Sequence, residues 1–346
     1  MAIDYTRPYS ATWRLYKVDE TTWADAYLAE PPVSASITRN SDGDSPEIDS
    51  GSFEFASDPS AELERGYYRL AMVAEQDGAF ERSDIITLLL ETDGGSIERG
   101  VDGKTASGRS VLHPASTAKL QDGENVRKGE DGAAKAAELL RSCIKAPVDV
   151  DGGFELADHY CFDFGASVLE CVWRLLDAGG FCIQTDGRGR VHIKQLPTEP
   201  VLDLNRAAAR MLEPKITYRM DASNVPNRFT AVLDGSKAQA VNGNAESPAS
   251  YQVRGYWVDE VDDSPALLSN ETLAGYAERR LSELSTVKDE RTYTRTWAAV
   301  QPFDIVRGSM PSVKLAGDMR VTSQSYKCGA GIMVTEKAAK EVNLWR

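Results

Sequence analysis

Residues 291–337 read RTYTRTWAAV QPFDIVRGSM PSVKLAGDMR VTSQSYKCGA GIMVTEK, and this stretch decides the fold that the sequence predicts. Apolar and polar residues alternate along it, and turn-forming residues interrupt the alternation. A period of two is typical of a strand that is buried on one face. The stretch therefore predicts four strands, at 291–298, 303–307, 319–326 and 331–337.

Residues 1–120 carry the same pattern. Asp58 followed by Pro59 predicts one short helix that ends at Glu64, because Asp favours the N-cap and Pro the first helical position. Residues 85–91 are apolar enough to form a strand buried on both faces. Short strands at near-regular spacing indicate a barrel or a sandwich. The strands predicted here are 11–18, 33–38, 52–56, 67–73 and 85–91.

The middle of the chain predicts a small α/β module. The polar stretch 121–132 is typical of a linker, and Asp131 then caps a helix with one apolar face. Ser167 and Glu170 form a capping-box pattern for a second helix, which Gly179-Gly180 ends. Its apolar stripe is Leu169, Val172, Trp173 and Leu176. Strands at 181–185 and 190–195 follow, and Asp186-Gly187-Arg188-Gly189 joins them as a hairpin turn.

After residue 215 the strand pattern returns. A strand is predicted at 227–233 and a polar loop at 238–248. One amphipathic helix interrupts the sheet behind Asn270 as its cap, because apolar residues recur there at helical spacing. These residues are Leu273, Tyr276, Ala277, Leu281 and Leu284.

Composition limits the classes of function. The 346 residues include 53 acidic and 39 basic side chains, for a net charge of −14. Such an acidic chain should repel nucleic acid, although plain solubility accounts for the same charge. No apolar run approaches the roughly 20 residues of a membrane helix. The N-terminus lacks a secretory pattern, and five cysteines without CxxC spacing indicate reduced thiols in a protein that folds in the cytoplasm.

Catalysis and metal binding find weak support. His113, His159 and His192 form no metal-binding motif, and His159 beside Cys161 is a poor candidate base and nucleophile, since a Cys hydrolase draws its His from elsewhere in the fold. We expect no catalytic residue, no metal ligand and no cofactor. A catalytic carboxylate pair of the glycosidase type stays an open possibility, because its two residues need to be close in space and not in sequence.

Two acidic segments have the composition of a cation site. Asp149-Val150-Asp151-Gly152 begins like a calcium loop, but Phe154 and Tyr160 stand where the pattern needs Gly and Glu. Asp259-Glu260-Val261-Asp262-Asp263 is typical of a solvated loop. The GxG in the turn at 186–189 joins two strands, whereas a phosphate loop joins a strand to a helix.

Several phrases resemble the baseplate hub family of long-tailed bacteriophages or prophages. In that family a helix leads into a strand, a step of the form Pro-x-Asp-x-Val follows, and a later strand contains Gly-x-Tyr/Leu-Arg-Val/Ile-x-Ser. Met319 stands where an aromatic residue or leucine is common. The matching phrases are LAGYAERRL at 273–281, RTYT at 291–294, VQPFDIV at 300–306, GDMRVTSQS at 317–325, VPNR at 225–228 and GRSVL at 108–112.

The resemblance implies a β-dominated α+β fold with two tube-forming β-barrels. The first barrel is expected at 1–124, the α/β module at 125–212, and the second barrel at 213–257 and 291–346, with a helical insert at 258–290. Three copies would form a ring that joins the sixfold tail tube to threefold tip parts around a DNA channel. Because the sequence ends just after the second barrel, we expect no C-terminal fibre or lytic extension.

The resemblance also implies partners and a location. The protein would contact itself as a homotrimer, the distal tail protein, the tape-measure protein and receptor-binding or fibre proteins. DNA would pass without specific binding, no membrane would be bound, and the location would be the virion tail tip. Two alternatives are a tail-associated cell-wall hydrolase and a surface carbohydrate-binding module. Aromatic residues suggest the second alternative: Tyr67, Tyr68, Tyr256 and Trp257.

Overall fold

The chain divides into two compact units in the computed structural model. The first unit contains Met1–Ile216 and Tyr293–Ala338, and the second contains Thr217–Thr292 and Ala339–Arg346. Strands are far more numerous than helices, so the fold is β-dominated α+β. The described residues are 3–29, 32, 34–41, 49–55, 64–98, 101–205, 212–268, 271–329 and 331–345.

The first unit begins with antiparallel strands in the hydrogen-bonded order β2-β1-β5-β6-β7-β4-β3. The five strands predicted in this region are confirmed, and the one predicted at 85–91 is the buried middle of a longer strand. Most of the helix predicted between Asp58 and Glu64 lies outside the described residues. The strands are β1 (Ser10–Val18), β2 (Asp25–Ala29), β3 (Ser34–Asn40), β4 (Asp49–Phe55), β5 (Gly66–Gln76), β6 (Ala79–Glu98) and β7 (Val101–Ser110).

The α/β module follows. Its elements are α1 (His113–Thr117), β8 (Glu124–Val126), α2 (Gly132–Arg141), β9 (Val148–Asp151), β10 (Tyr160–Phe162), α3 (Val168–Ala178), β11 (Phe181–Thr185) and β12 (Val191–Gln195). β11 and β12 form the predicted hairpin, and β9 joins it in parallel. The linker predicted at 121–132 is partly wrong, because β8 lies within it and pairs with β10.

The starts of the two predicted helices differ in how they are capped. The Asp131 carboxylate accepts hydrogen bonds from the amides of Ala133 (2.9 Å) and Ala134 (3.2 Å), which confirms the cap of α2. Ser167 precedes α3, but its hydroxyl donates to the Ser116 carbonyl (3.1 Å) and makes no cap hydrogen bond. The predicted capping box is wrong because this hydroxyl is turned toward the Ser116 carbonyl and accepts from no amide of the first turn of α3.

We expect Asp131→Ala to lower the free energy of unfolding by about 1 kcal/mol, because two helix amides lose their acceptor. Asp131→Asn keeps a side-chain oxygen in place and should stay close to the wild-type value. Urea titrations of both variants measure the difference. Equal losses in the two variants would contradict the capping role.

The second unit contains a small sheet covered by one helix. β13 (Pro200–Leu204) and β14 (Leu212–Met220) lead to it, and its elements are β15 (Arg228–Leu233), β16 (Ser236–Val241), α4 (Tyr251–Arg254), β17 (Asp259–Asp262) and α5 (Leu273–Leu284). The predicted loop at 238–248 is wrong at its start, where β16 pairs with β15. The Thr272 hydroxyl accepts from the Gly275 amide (3.1 Å) and caps α5. The predicted cap, Asn270, lies outside the described residues.

The last four strands are β18 (Thr286–Arg295), β19 (Ile305–Met310), β20 (Leu315–Cys328) and β21 (Ile332–Asn343). Of these, β19 and β20 lie in the first unit, and β18 and β21 are divided between the two units. β20 pairs with β19 through its first half and with β3 through its second half. In the described residues the strand order is an open path, so the arrangement as two barrels stays a prediction. No described helix is long and apolar enough to cross a membrane.

Candidate interaction surface

His159 and Cys161 flank Tyr160 at β10, and both side chains are exposed. No hydrogen bond links them to each other or to a third group in the described part of the chain. Thiol catalysis needs a base within hydrogen-bond reach of the sulfur and a group that orients the base. The geometry therefore gives this pair no activating contact.

In each of the two acidic segments, carboxylates accept hydrogen bonds from side chains elsewhere in the chain. Both carboxylate oxygens of Asp149 accept from Arg190, at 2.9 and 3.0 Å. Asp259 accepts two hydrogen bonds from Arg228, which lower the pKa of this carboxyl. The pKa of Asp262 is also lowered, first by the Tyr276 hydroxyl at 2.5 Å. Across the described residues, no three His, Cys, Asp or Glu side chains are grouped as a metal site.

The turn at 186–189 has a structural role that the sequence did not indicate. The Arg188 carbonyl accepts from Trp23 Nε1 (2.8 Å) and from Arg69 Nη2 (3.1 Å). The Thr87 hydroxyl donates to the Gly187 carbonyl (3.0 Å). These bonds join the hairpin of the α/β module to β5 and β6, within the first unit.

The four aromatic candidates fall into two groups. Tyr67 and Tyr68 are 3% and 1% exposed and belong to the core, so they offer no ring face to a sugar. Tyr256 and Trp257 are 55% and 38% exposed. The Trp257 ring stacks on Tyr251 at 4.3 Å between centroids, and the Arg228 guanidinium lies 4.4 Å from it. Only the second pair is therefore exposed, and Tyr251 and Arg228 already cover part of the Trp257 ring.

A buried polar junction fixes the loop before β19. Gln184 Nε2 donates to the Pro302 carbonyl (2.6 Å) and to Asp304 (3.0 Å). Phe303 lies between the two residues that Gln184 holds. Its φ is +74°, a conformation that costs a bulky residue on the order of 1–3 kcal/mol. Its amide donates to Val321 O and its carbonyl accepts from Arg320, each at 2.8 Å. The predicted strand at 303–307 begins only at Ile305 for this reason.

The Phe303 ring forms one wall of a cleft of about 430 Å³ beside α3. Its ring centroid lies 6.0 Å from that of Trp173, on the outer face of the helix. Trp173 was predicted in the buried stripe, but it is only half-buried, whereas the other three stripe residues are fully buried. The cleft is lined by Ser41, Glu170, Trp173, Arg174, Asp177, Phe181, Leu196 and Phe303.

No protein-family model and no curated protein sequence matches the chain. Two solved structures have a similar fold. One is the tail protein from Neisseria meningitidis MC58, with 14% identity and a TM-score of 0.61 over 98% of each chain. The other is the 43 kDa tail protein of prophage MuSo2 from Shewanella oneidensis, with 15% identity and a TM-score of 0.61 over 95% of this chain and 98% of that one. The chain thus has the fold of tail proteins along nearly its whole length.

Proposed function

We propose that this protein is a structural, non-enzymatic subunit of a phage tail tip. Three copies would form a hub ring that joins the sixfold tail tube to threefold tip components and surrounds the DNA channel. The observation that carries the proposal is the fold similarity to two tail proteins over at least 95% of this chain. The phrases at 300–306 and 317–325 support it, because they resemble the hub family.

The finer architecture belongs to the same proposal. The first barrel would occupy 1–124, the α/β module 125–212, and the second barrel 213–257 and 291–346, with the insert at 258–290. Edge β2 supports assembly through strands, because β1 is its one partner in the described residues. Tyr27 and Leu28 on β2 are 51% and 55% exposed, and an exposed apolar edge is a template for pairing with another chain.

Partners and location follow from the ring. Its neighbours would be the distal tail protein, the tape-measure protein and receptor-binding or fibre proteins. The protein would fold in the host cytoplasm and end in the virion tail tip. The net charge of −14 supports a channel to which DNA does not adhere, because like charges repel.

The oligomeric state tests the proposal. Light scattering of the purified protein, alone and with its distal tail partner, should detect a trimer in at least one of the two samples. Electron microscopy should then image a ring. A strict monomer in both samples, with no ring in the images, would sink the proposal.

A carbohydrate-binding tail module is the second candidate, and the exposed Tyr251, Tyr256 and Trp257 favour it. If it is correct, glycan-array signal should be present and should fall on Trp257→Ala. A matched Tyr67→Phe variant changes a buried ring and should keep the signal. The hydrolase alternative predicts a clearing band on host cell wall that Cys161→Ala abolishes, and we expect no such band.

A further inference from the structure

We propose that the cleft beside α3 binds an extended segment of another protein, in which a large apolar residue stands between two basic residues as basic-x-apolar-x-basic. This interaction surface goes beyond the hub ring and does not depend on the number of copies in it. Three features of the cleft support the proposal: its apolar floor, an unpartnered donor and its charge.

The floor of the cleft is apolar and rigidly held. Phe181, Leu196, Trp173 and Phe303 supply it, and hydrogen bonds to the amide and carbonyl of Phe303 fix the backbone that presents its ring. A volume of about 430 Å³ lies within the ~300–1,000 Å³ of clefts that hold small ligands. It can therefore take one large apolar side chain with the adjoining backbone.

Trp173 lacks a hydrogen-bond acceptor. Its Nε1 is buried and has no partner in the described part of the chain. A buried N–H without an acceptor is unfavourable and uncommon. The backbone carbonyl of an extended segment lying against Trp173 would supply that acceptor once the indole ring turns its N–H toward the cleft, since the N–H is closed to solvent in the free protein.

The negative charge of the cleft favours basic residues on both sides of the apolar residue in the bound segment. Glu170 and Asp177 lie on the same face of α3 as Trp173, three residues before it and four after it, and both are exposed. Neither forms an ion pair in the described residues. Arg174 also lines the cleft, but its guanidinium lies over the Phe162 ring, 5.2 Å from its centroid, and pairs with neither carboxylate in the described residues. The three charged side chains of the lining therefore leave it with a net negative charge.

The spacing of the carboxylates matches the proposed pattern. Seven residues along a helix separate Glu170 from Asp177 by about 10.5 Å. Two basic residues four positions apart in an extended chain are about 13 Å apart, and flexible side chains cover the difference. The stretch 42–48, which follows Ser41 in the sequence, is a poor occupant by charge, because it contains Asp42, Asp44 and Glu47 and no basic residue.

Two synthetic peptides test the proposal against the full chain: one carries Lys-Ser-Leu-Ser-Lys, and the other carries Glu-Ser-Leu-Ser-Glu. Fluorescence anisotropy should give the lysine peptide at least about tenfold tighter binding, since two favourable pairs become two repulsive ones. In nitrogen-15 NMR, the indole N–H resonance of Trp173, assigned with Trp173→Phe, should shift on titration with the lysine peptide.

Three variants locate the binding. Glu170→Lys combined with Asp177→Lys should reverse the preference between the two peptides. Asp158→Lys makes the same kind of charge change at an exposed residue outside the cleft and should keep the preference. Trp173→Phe retains an aromatic ring but removes the donor, and it should weaken binding about fivefold.

Three outcomes would overturn the proposal. The two peptides could bind equally, neither could bind at millimolar concentration, or the double charge reversal could leave the preference unchanged. A Trp173 resonance that shifts with protein concentration and not with peptide would assign the cleft to a second copy of this chain instead.

Discussion

Glu336→Gln should lower the free energy of unfolding of the first unit by about 3–5 kcal/mol, because it leaves the Arg295 guanidinium buried without a counter-ion. Both side chains of this pair are 0% exposed. Arg295 donates to the two carboxylate oxygens at 2.8 and 3.0 Å, and Gln324 donates a third hydrogen bond at 2.6 Å. The total free energy of unfolding of a domain is about 5–15 kcal/mol, so this loss is a large fraction of it.

The pH dependence of this effect has a definite sign. Burial raises the pKa of Glu336, but the charge and hydrogen bonds of Arg295 outweigh it, and the net pKa is lowered. A carboxyl with a lowered pKa in the folded state stabilises the fold above its unfolded value of about 4.3. That contribution is lost as the pH falls through the folded pKa. The difference between wild type and Glu336→Gln should therefore shrink on acidification.

Urea titrations between pH 7 and pH 3 measure both effects. Asp318→Asn is the matched control, because Asp318 pairs with Arg307 in neighbouring strands of the same sheet but at an exposed site. Its urea unfolding midpoint should equal that of the wild type within experimental error, since solvent screens exposed ion pairs. Equal midpoints for Glu336→Gln and Asp318→Asn would contradict the role assigned to the buried pair.

Local elements were predictable from the sequence because their causes are local. Asp131 has no better partner than the first turn of α2, so its cap follows from residue type and position. Strand β6 is recognisable from its apolar run alone. Ser167 shows the limit of this reasoning, since its hydroxyl donates a hydrogen bond to the carbonyl of Ser116, 51 residues earlier in the chain.

The cleft could not be predicted because its walls come from distant parts of the chain. Trp173 has the spacing of a core residue, and only the position of Phe303 makes it a wall of the cleft. Positive φ at a phenylalanine follows from no propensity, because the hydrogen bonds around it enforce it. The available signal was the pair of acidic residues, Glu170 and Asp177, one turn on either side of Trp173.

The sequence also did not predict which distant strands pair with each other. Ser323 of β20 lies opposite Asn40 of β3, and hundreds of residues separate them. Alternation predicts that each segment is a strand, but it does not name the neighbour. A single sheet thus contains strands from both ranges expected to form separate barrels.

Gly187→Ala should destabilise the first unit by about 3 kcal/mol or more and release the hairpin turn from the sheet. A Cβ at this position would lie 1.8 Å from the Asp84 carbonyl oxygen and 2.5 Å from its carbon. Both are backbone atoms, so the turn and β6 must separate. Ile85 is the extra residue of a bulge between β5 and β6, which presents this backbone to the turn. Overpacking costs about 1–3 kcal/mol, and hydrogen bonds of about 1 kcal/mol each are lost with it.

Gly329→Ala is the matched control, since a Cβ there meets no atom of the described residues within 4 Å and its φ is not positive. It should keep the wild-type unfolding midpoint in urea. In Gly187→Ala, Trp23 loses the Arg188 carbonyl as its acceptor, so the tryptophan emission should shift to longer wavelength before global unfolding. If both variants unfold at the wild-type midpoint, the turn does not hold the α/β module to the sheet. The hydrogen bonds of Trp23, Arg69 and Thr87 to the turn would then contribute nothing measurable to stability.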